Sequence, residues 1–526
     1  MKKLSYSLLL LIVCFTTFSC SGYLDEHSKD SMNASTYPKT DADMVTAMSP
    51  MWWVTMKFTS GDDPTFFFLG ADDATSNVPA NTYFRDGDIF NISDGLSQIT
   101  YDWQLPYKGI QISNFIIAHY ADCTGDQNLI NNCAGQAYFM RAWWYYWLIK
   151  FFGPCPMPLK EGETDAEMTQ SSVEDVYAQI ISDLQKAEEL MPAKQTRSEW
   201  VYNGMSLVPT QGSAKSLLAS VYLQMTGWPL KDESKYALAA AKAKEVIDNE
   251  STYGYGLVDI NKLWDGIDMW DEETVFGHAY NWKTGDYTMR TPKAGAPIEE
   301  GGWACYMAEI NFFKNFPEGP RKKVTFQTDI WVPVSKGTEG AFYNERANAW
   351  FIDVPWDDPR TEKQHPYFCK QRFGSETRGG SLSWEDRYLD GSMWRSGRSQ
   401  RFIRYAEVLL VYAEAECMAK GGPDASAYAA INRVRERAGL EDLTAGMSAS
   451  DFQTACFNER GWEFAGNEYC SRWADLLRFE KVESANSNRD SREYILNHTP
   501  TKADYYLPIP AYDKNMNPNL HDNTGE

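Results

Sequence analysis

The run Arg401-Phe402-Ile403-Arg404-Tyr405-Ala406-Glu407-Val408-Leu409-Leu410-Val411-Tyr412-Ala413-Glu414-Ala415-Glu416-Cys417 decides the fold. Ile403, Ala406, Leu410, Ala413 and Cys417 recur at helical spacing, and Gly421-Gly422-Pro423 stops the helix. A second helix comes next, with Tyr428, Ile431, Val434 and Ala438 on one face, ended by Gly439. Two helices joined by a short link, with small residues where they cross, make an antiparallel pair of the tetratricopeptide kind.

Working back along the chain, more such helices appear. Tyr107 to Tyr120 is amphipathic and pairs with Gly135 to Phe152, whose aromatic residues surround the axis, the mark of a buried helix. Ser171-x-x-Glu174 reads as a capping box opening a helix that runs to Leu190. Thr210 caps Gly212 to Met225, and Tyr236 to Ile247 is rich in alanine. About four pairs predict a mainly α fold, a right-handed tetratricopeptide-like helical stack. Between Tyr253 and Arg398 the period fades, Gly and Pro are frequent, and nine of the nineteen tryptophans fall there. Thr274 to Tyr280 reads as a strand and Ala308 to Phe316 as a short helix. This stretch reads as rich in loops.

Further motifs lie beyond the helical pair: Glu459-Arg460-x-x-Glu463, Arg472-Trp473-Ala474-Asp475-Leu476-Leu477-Arg478, Leu507-Pro508-Ile509-Pro510 and Asn517-Pro518-Asn519-Leu520. In this order and spacing they resemble the SusD/RagB family of glycan-capturing outer-membrane lipoproteins, and the resemblance implies a variable, loop-rich subdomain packed on the helical stack between Tyr253 and Arg398. The stretch between Glu463 and Arg472 is about two residues longer than that family's pattern. The charged residues within these motifs read as a structural ion-pair network.

Lys2 and Lys3, an apolar run from Leu8 to Val13 and small residues up to Cys20 make a secretory signal. Cys20 is the expected lipidation site, as the resemblance implies, and Tyr23-Leu24-Asp25 resembles the family's mature start. Ordinary cleavage leaving Cys20 as a plain thiol is the alternative, because Thr17-Phe18-Ser19 departs from the aliphatic pattern before a lipidated cysteine. The expected organisation is signal 1–19, lipid-tethered linker 20–40, an N-terminal region with helical pairs 41–255, a loop-rich ligand-binding subdomain 256–400 and a C-terminal region 401–526.

The chain of 526 residues carries a formal net charge of −22. So acidic a surface disfavours nucleic acid and polyanionic ligands, while neutral glycans remain acceptable. Of ten cysteines, Cys123 and Cys133 flank a polar stretch and are the pair best placed for a disulfide; Cys417 and Cys456 read as small buried hydrophobes. No Cys-x-x-Cys, His-Glu-x-x-His, Gly-x-Ser-x-Gly or phosphate-binding glycine loop is present, which leaves zinc, thioredoxin-like and nucleotide chemistry without support. A glycosidase needs only two carboxylates, which 72 acidic residues could supply, and it is the resemblance that implies binding without turnover and without a cofactor.

Sugars offer flat C–H faces ringed by hydroxyls, which Trp and Tyr meet with rigid apolar platforms and Asp, Asn or Arg meet with hydrogen bonds. Tryptophans in helical patterns (Trp52, Trp53, Trp103, Trp143, Trp144, Trp147, Trp462, Trp473) read as core. Loop aromatics Trp282, Tyr287, Trp303 and Tyr306 are the candidate sugar platforms, in a region where the resemblance places ligand contacts. In the earlier loop, Asp72 and Asp73 could accept hydroxyls or bind calcium, and Arg85 beside Tyr83 could clamp hydroxyls; a solvated turn is the plainer alternative. The resemblance implies a cell-surface lipoprotein on the outer membrane that captures glycan and hands it to a TonB-dependent SusC-like barrel. RagB-like peptide capture with the same partner ranks second, and a glycoside hydrolase third.

Overall fold

The computed structural model describes residues 37–60, 70–76, 82–164, 167–264, 270–280, 294–344, 348–370, 399–466, 468 and 471–524. Cys20, Trp282 and Tyr287 lie outside these residues, as does the Tyr83 side chain.

Among the described residues, eleven helices carry the scaffold: α1 (Asp41–Ala47), α2 (Ser49–Ser60), α3 (Thr82–Asp88), α4 (Ser97–His119), α5 (Gln127–Phe151), α6 (Val173–Leu190), α7 (Gln211–Met225), α8 (Lys235–Ile247), α9 (Tyr405–Lys420), α10 (Ala425–Arg437) and α11 (Ala449–Glu463). From α4 onward each packs on its neighbour in the series α4, α5, α6, α7, α8, and α8 then packs on α9 and α9 on α10. The stack is thus mainly α and tetratricopeptide-like, as the sequence predicts. Close approach at the crossings uses small residues: a Cβ on Gly109 of α4 would stand 2.1 Å from Trp144 Nε1 of α5.

Helix α5 is aromatic on all sides because it is covered on all sides. Phe58 of α2 meets Trp143, Trp144 and Trp147 edge-on, with centroids 5.8, 5.1 and 4.7 Å away. On another flank Phe139 meets Phe276 and Trp143 stacks on Phe402. Trp103, Trp144 and Trp473 are fully or almost fully buried, but Trp53 is 52% exposed. Adjacent positions on a helix point about 100° apart, so Trp52 and Trp53 cannot both face one core.

Five local expectations shift. The disulfide does not form: Cys123 and Cys133 are both free and buried. Asp126 accepts from the Asn128 and Leu129 amides and starts α5 at Gln127, which turns the expected polar loop into helix and places Cys133 inside it. The cap of α6 is Ser172, one residue later than expected, accepting from Asp175 N. Gln400–Arg404 is a strand rather than the start of α9, and it pairs antiparallel with Thr274–His278. The expected Ala308 helix starts at Ile310, capped by Glu309, whose carboxylate accepts from Phe312 N at 2.6 Å.

Because α8 packs directly on α9, the residues between them form an excursion from the stack. Its outgoing strand β1 (Thr274–His278) and returning strand β2 (Gln400–Arg404) pair at its base. Phe276 and Phe402 press this pair onto α5. At the outer end lies a three-stranded antiparallel sheet of Asp329–Val334, Ala349–Pro355 and Phe342–Asn344, the second strand central.

Candidate functional site

The base of the excursion is locked by charge. Arg404 donates from Nη1 to Glu463 at 2.7 Å and from Nε to Glu468 at 2.6 Å. Arg321 reaches Glu459 and Glu463 at 2.6 and 3.0 Å. Burial alone would raise the Glu463 carboxyl; Arg437, Arg404 and Arg321 around it reverse the sign and hold it well below the usual carboxylate range. Arg460 donates to Asp475 at 2.7 Å, and Arg478 reaches Glu414 from Nη1 and Nη2 at 2.5 and 2.8 Å. These pairs are the ion network expected from the C-terminal motifs. Glu468, in the stretch that is longer than the family pattern, also takes Lys370 Nζ at 2.6 Å, so that stretch is tied into the network.

Above this base the two loop regions singled out separately in the sequence lie side by side. Ala74–Thr75 pairs antiparallel with Met307–Ala308. Ser76 Oγ donates to the Cys305 carbonyl at 2.6 Å, and Phe84 of α3 lies 6.1 Å from the Tyr306 ring. Thr59 near the end of α2 contacts the Tyr280 hydroxyl, bringing two further loop ends together.

The segment 294–305 is a narrow hairpin-like turn. Ala304 N donates to Ala296 O at 2.9 Å and Gly302 N to Pro297 O at 2.8 Å. A Cβ on Gly302 would stand 2.1 Å from the Ala296 carbonyl, so glycine is required before Trp303. Trp303 is half-buried, one flank packed on the main core and the rest exposed. Tyr306 is only 1% exposed and packs where a Cβ on Gly295 would touch its ring, so it supports the turn from beneath.

The acidic candidates are already engaged. Arg472 Nε and Nη2 donate to Asp72 Oδ1 and Oδ2 at 2.5 and 2.7 Å. Asp73 is fully buried and its Oδ2 accepts from Gly466 N at 2.9 Å. Arg85 is partly exposed and donates to Asp86 Oδ1 from Nε and Nη2 at 3.0 and 2.8 Å. Among the described residues no group of three or more His, Cys, Asp or Glu side chains is placed to hold a metal ion.

Beneath the β-bridge sits a polar cluster that sequence reasoning missed. Thr75 donates to Glu493 at 2.5 Å, and Arg489 donates to Asp88 at 2.8 Å. His365 is fully buried, with Nε2 3.2 Å from Glu493 Oε1 and Nδ1 2.6 Å from Lys363 O. Burial pushes the nearby Glu309 carboxyl up to about 7, and the Glu493 charge adds to the rise. Partners some 400 positions apart, such as Thr75 with Glu493 and Asp88 with Arg489, leave no local pattern in the sequence.

A helical stack carrying a charge-locked, aromatic-rich excursion defines a scaffold that presents loops. A model described as the SusD family matches residues 269–525, and one described as starch-binding associating with outer membrane matches 22–223. SusD-like protein P2 of Formosa agariphila is 25% identical over 556 aligned residues, covering 99% of each chain. A SusD homolog from Bacteroides thetaiotaomicron superposes with a TM-score of 0.75 at 21% identity, over 93% of this chain and 98% of that one. A further structure, determined with xylogluco-oligosaccharide, superposes with a TM-score of 0.67 at 18% identity, over 91% of this chain and 98% of that one. The chain belongs to the SusD/RagB family, a glycan-binding family. Among the described residues no helix is long and apolar enough to cross a membrane.

Proposed function

We propose that this protein is a cell-surface lipoprotein, anchored through Cys20 to the outer membrane, that captures neutral oligo- or polysaccharide without turning it over. It then hands the sugar to a TonB-dependent SusC-like barrel. The observation that carries the reading is the juxtaposition of the 70–76 and 294–308 segments around half-buried Trp303. This juxtaposition sits on a scaffold shared, over 91% of the chain, with a protein whose structure was determined with xylogluco-oligosaccharide.

In this reading the 256–400 region supplies the ligand side. Trp303 offers a ring face, and Arg85, Trp282, Tyr287 and Tyr83 are proposed as further ligand contacts. Asp72, Asp73 and Tyr306 hold the loops in place through ion pairing, hydrogen bonding and packing respectively. A signal over 1–19 and a tether over 20–40 deliver the folded part to the surface. The test is a binding array of neutral polysaccharides set beside a peptide library. Retention by one class of neutral glycan supports the reading; retention by peptides alone transfers it to RagB-like capture; release of shortened sugar overturns capture without turnover.

A further inference from the structure

The outer sheet has one face that changes character along its length. Ile330, Val332, Ile352 and Val354 on that face are buried in a second, smaller core against Ala304 and Met307. These last two belong to the segment that carries Trp303. Side chains alternate across a strand, so the same face continues into Val334, Trp350 and Tyr343, which lie opposite one another across the three strands. Val334 still packs on the core. Beyond it Trp350 is half-buried and Tyr343 is 46% exposed. Their centroids are 5.4 Å apart with planes at 50°, forming an open aromatic ledge.

The ledge is held in position. Tyr343 Oη donates to Asn348 Oδ1 at 2.6 Å, and Asn348 has a φ of 50°, a left-handed conformation that asparagine tolerates. That hydrogen bond uses the amide oxygen. Among the described residues Asn348 Nδ2 makes no hydrogen bond, which leaves a donor at the edge of two rings.

We propose that Tyr343, Trp350 and Asn348 form a second contact for the same neutral saccharide chain, at the outer end of the excursion. Size selects the occupant. Two aromatic side chains bury roughly 150–250 Å² each, well short of the about 800 Å² a stable protein interface needs from each partner. Among the described residues the turn beside the ledge (Lys336, Thr338, Glu339) is exposed and polar and adds no apolar area. The net charge of −22 disfavours a polyanion. One or two pyranose rings, with hydroxyls for Asn348 Nδ2, fit the area and the chemistry. The second core joins the ledge's sheet to Ala304 and Met307, next to Trp303 in the chain, and in this proposal one polymer spans from that segment to the ledge. This inference rests on the glycan reading and adds chain length to it: polymers should bind more tightly than short oligosaccharides.

The test is native affinity electrophoresis of the full-length protein in gels containing xyloglucan, amylopectin or galactomannan, with matching tetrasaccharides as competitors. Trp350→Ala and Tyr343→Ala should each weaken retention by about tenfold on the polymer that retains the wild type. Competition by the tetrasaccharide should be reduced much less. Trp350→Phe should keep most retention, and Trp53→Ala, an exposed aromatic elsewhere, should change nothing. Unchanged retention in both alanine variants overturns the ledge and leaves the glycan reading standing. Retention lost in Trp350→Phe with a lowered melting temperature would show that the ring only holds the sheet, and also overturns it. A wild type retained by none of the polymers overturns both.

Discussion

Arg472 and Asp72, 400 positions apart, meet in a two-pronged ion pair with Nε–Oδ1 at 2.5 Å and Nη2–Oδ2 at 2.7 Å. Burial lowers the Arg472 guanidinium; the Asp72 charge and hydrogen bonds then outweigh burial and raise it. The pair fastens the 70–76 segment to the C-terminal helical motif, so a turn that reads as solvated in the sequence is fixed from beneath. Asp72→Asn should therefore destabilise the fold by about 1–3 kcal/mol, because it leaves a buried guanidinium without its counter-charge. Urea unfolding checks this, and a variant as stable as the wild type would show the pair to be incidental.

Stability should depend on pH through Glu309. Its carboxyl rises from an ordinary 4.5 to about 7 in the folded state. Below 4.5 both folded and unfolded chains hold the proton, and burial then costs nothing. Between 4.5 and 7 the unfolded chain releases its proton while the folded one keeps it, so stability falls as pH rises. The fall is on the order of 3 kcal/mol for this group. Glu309→Gln should flatten that part of the curve while keeping the acceptor for Phe312 N. Unfolding midpoints at pH 5, 6, 7 and 8 give the comparison, and equal slopes in the two proteins would contradict it.

Two tryptophans separate core from surface. Trp144 is fully buried, so Trp144→Ala should cost about 3–5 kcal/mol through a cavity. Trp53 is 52% exposed, and Trp53→Ala should stay within about 0.5 kcal/mol of the wild type. Chemical denaturation of both variants reads the difference.

Anchoring and partnership have their own tests. Cys20→Ala should abolish incorporation of a labelled fatty acid and release the protein from the membrane fraction. In mild detergent the wild type should co-purify with a SusC-like barrel. Label persisting in the variant, or recovery of the protein alone while the barrel is expressed, would contradict the respective expectation.

Much of the stack was legible because helices announce themselves locally, through the 3.6-residue period, through caps such as Thr210 and through small residues such as Ala406 and Ala413. Errors fell where a partner far along the chain overrode local pattern. Ile403 fits the period of helix α9, yet it lies in a strand because Thr274–His278 pairs with it. Trp52 and Trp53 look alike in sequence, and only helix geometry separates them. The loop candidates were legible as a composition, but which of them is engaged was not. Asp72 and Asp73 are taken by Arg472 and Gly466, and Tyr306 is buried by the turn that exposes Trp303. The Tyr343–Trp350 ledge was missed because exposure on an alternating strand depends on where the neighbouring body ends.

The most direct test of glycan capture is calorimetric titration of the wild type and Trp303→Ala with the neutral polysaccharide that retains the protein best. The account expects saturable binding by the wild type and an affinity lower by roughly tenfold in the variant. Their melting temperatures should agree within a few degrees, about the shift expected from 1 kcal/mol in a chain this long. Saturable binding that is identical in the two proteins would remove Trp303 from the site. No saturable heat from any neutral saccharide would contradict the central claim.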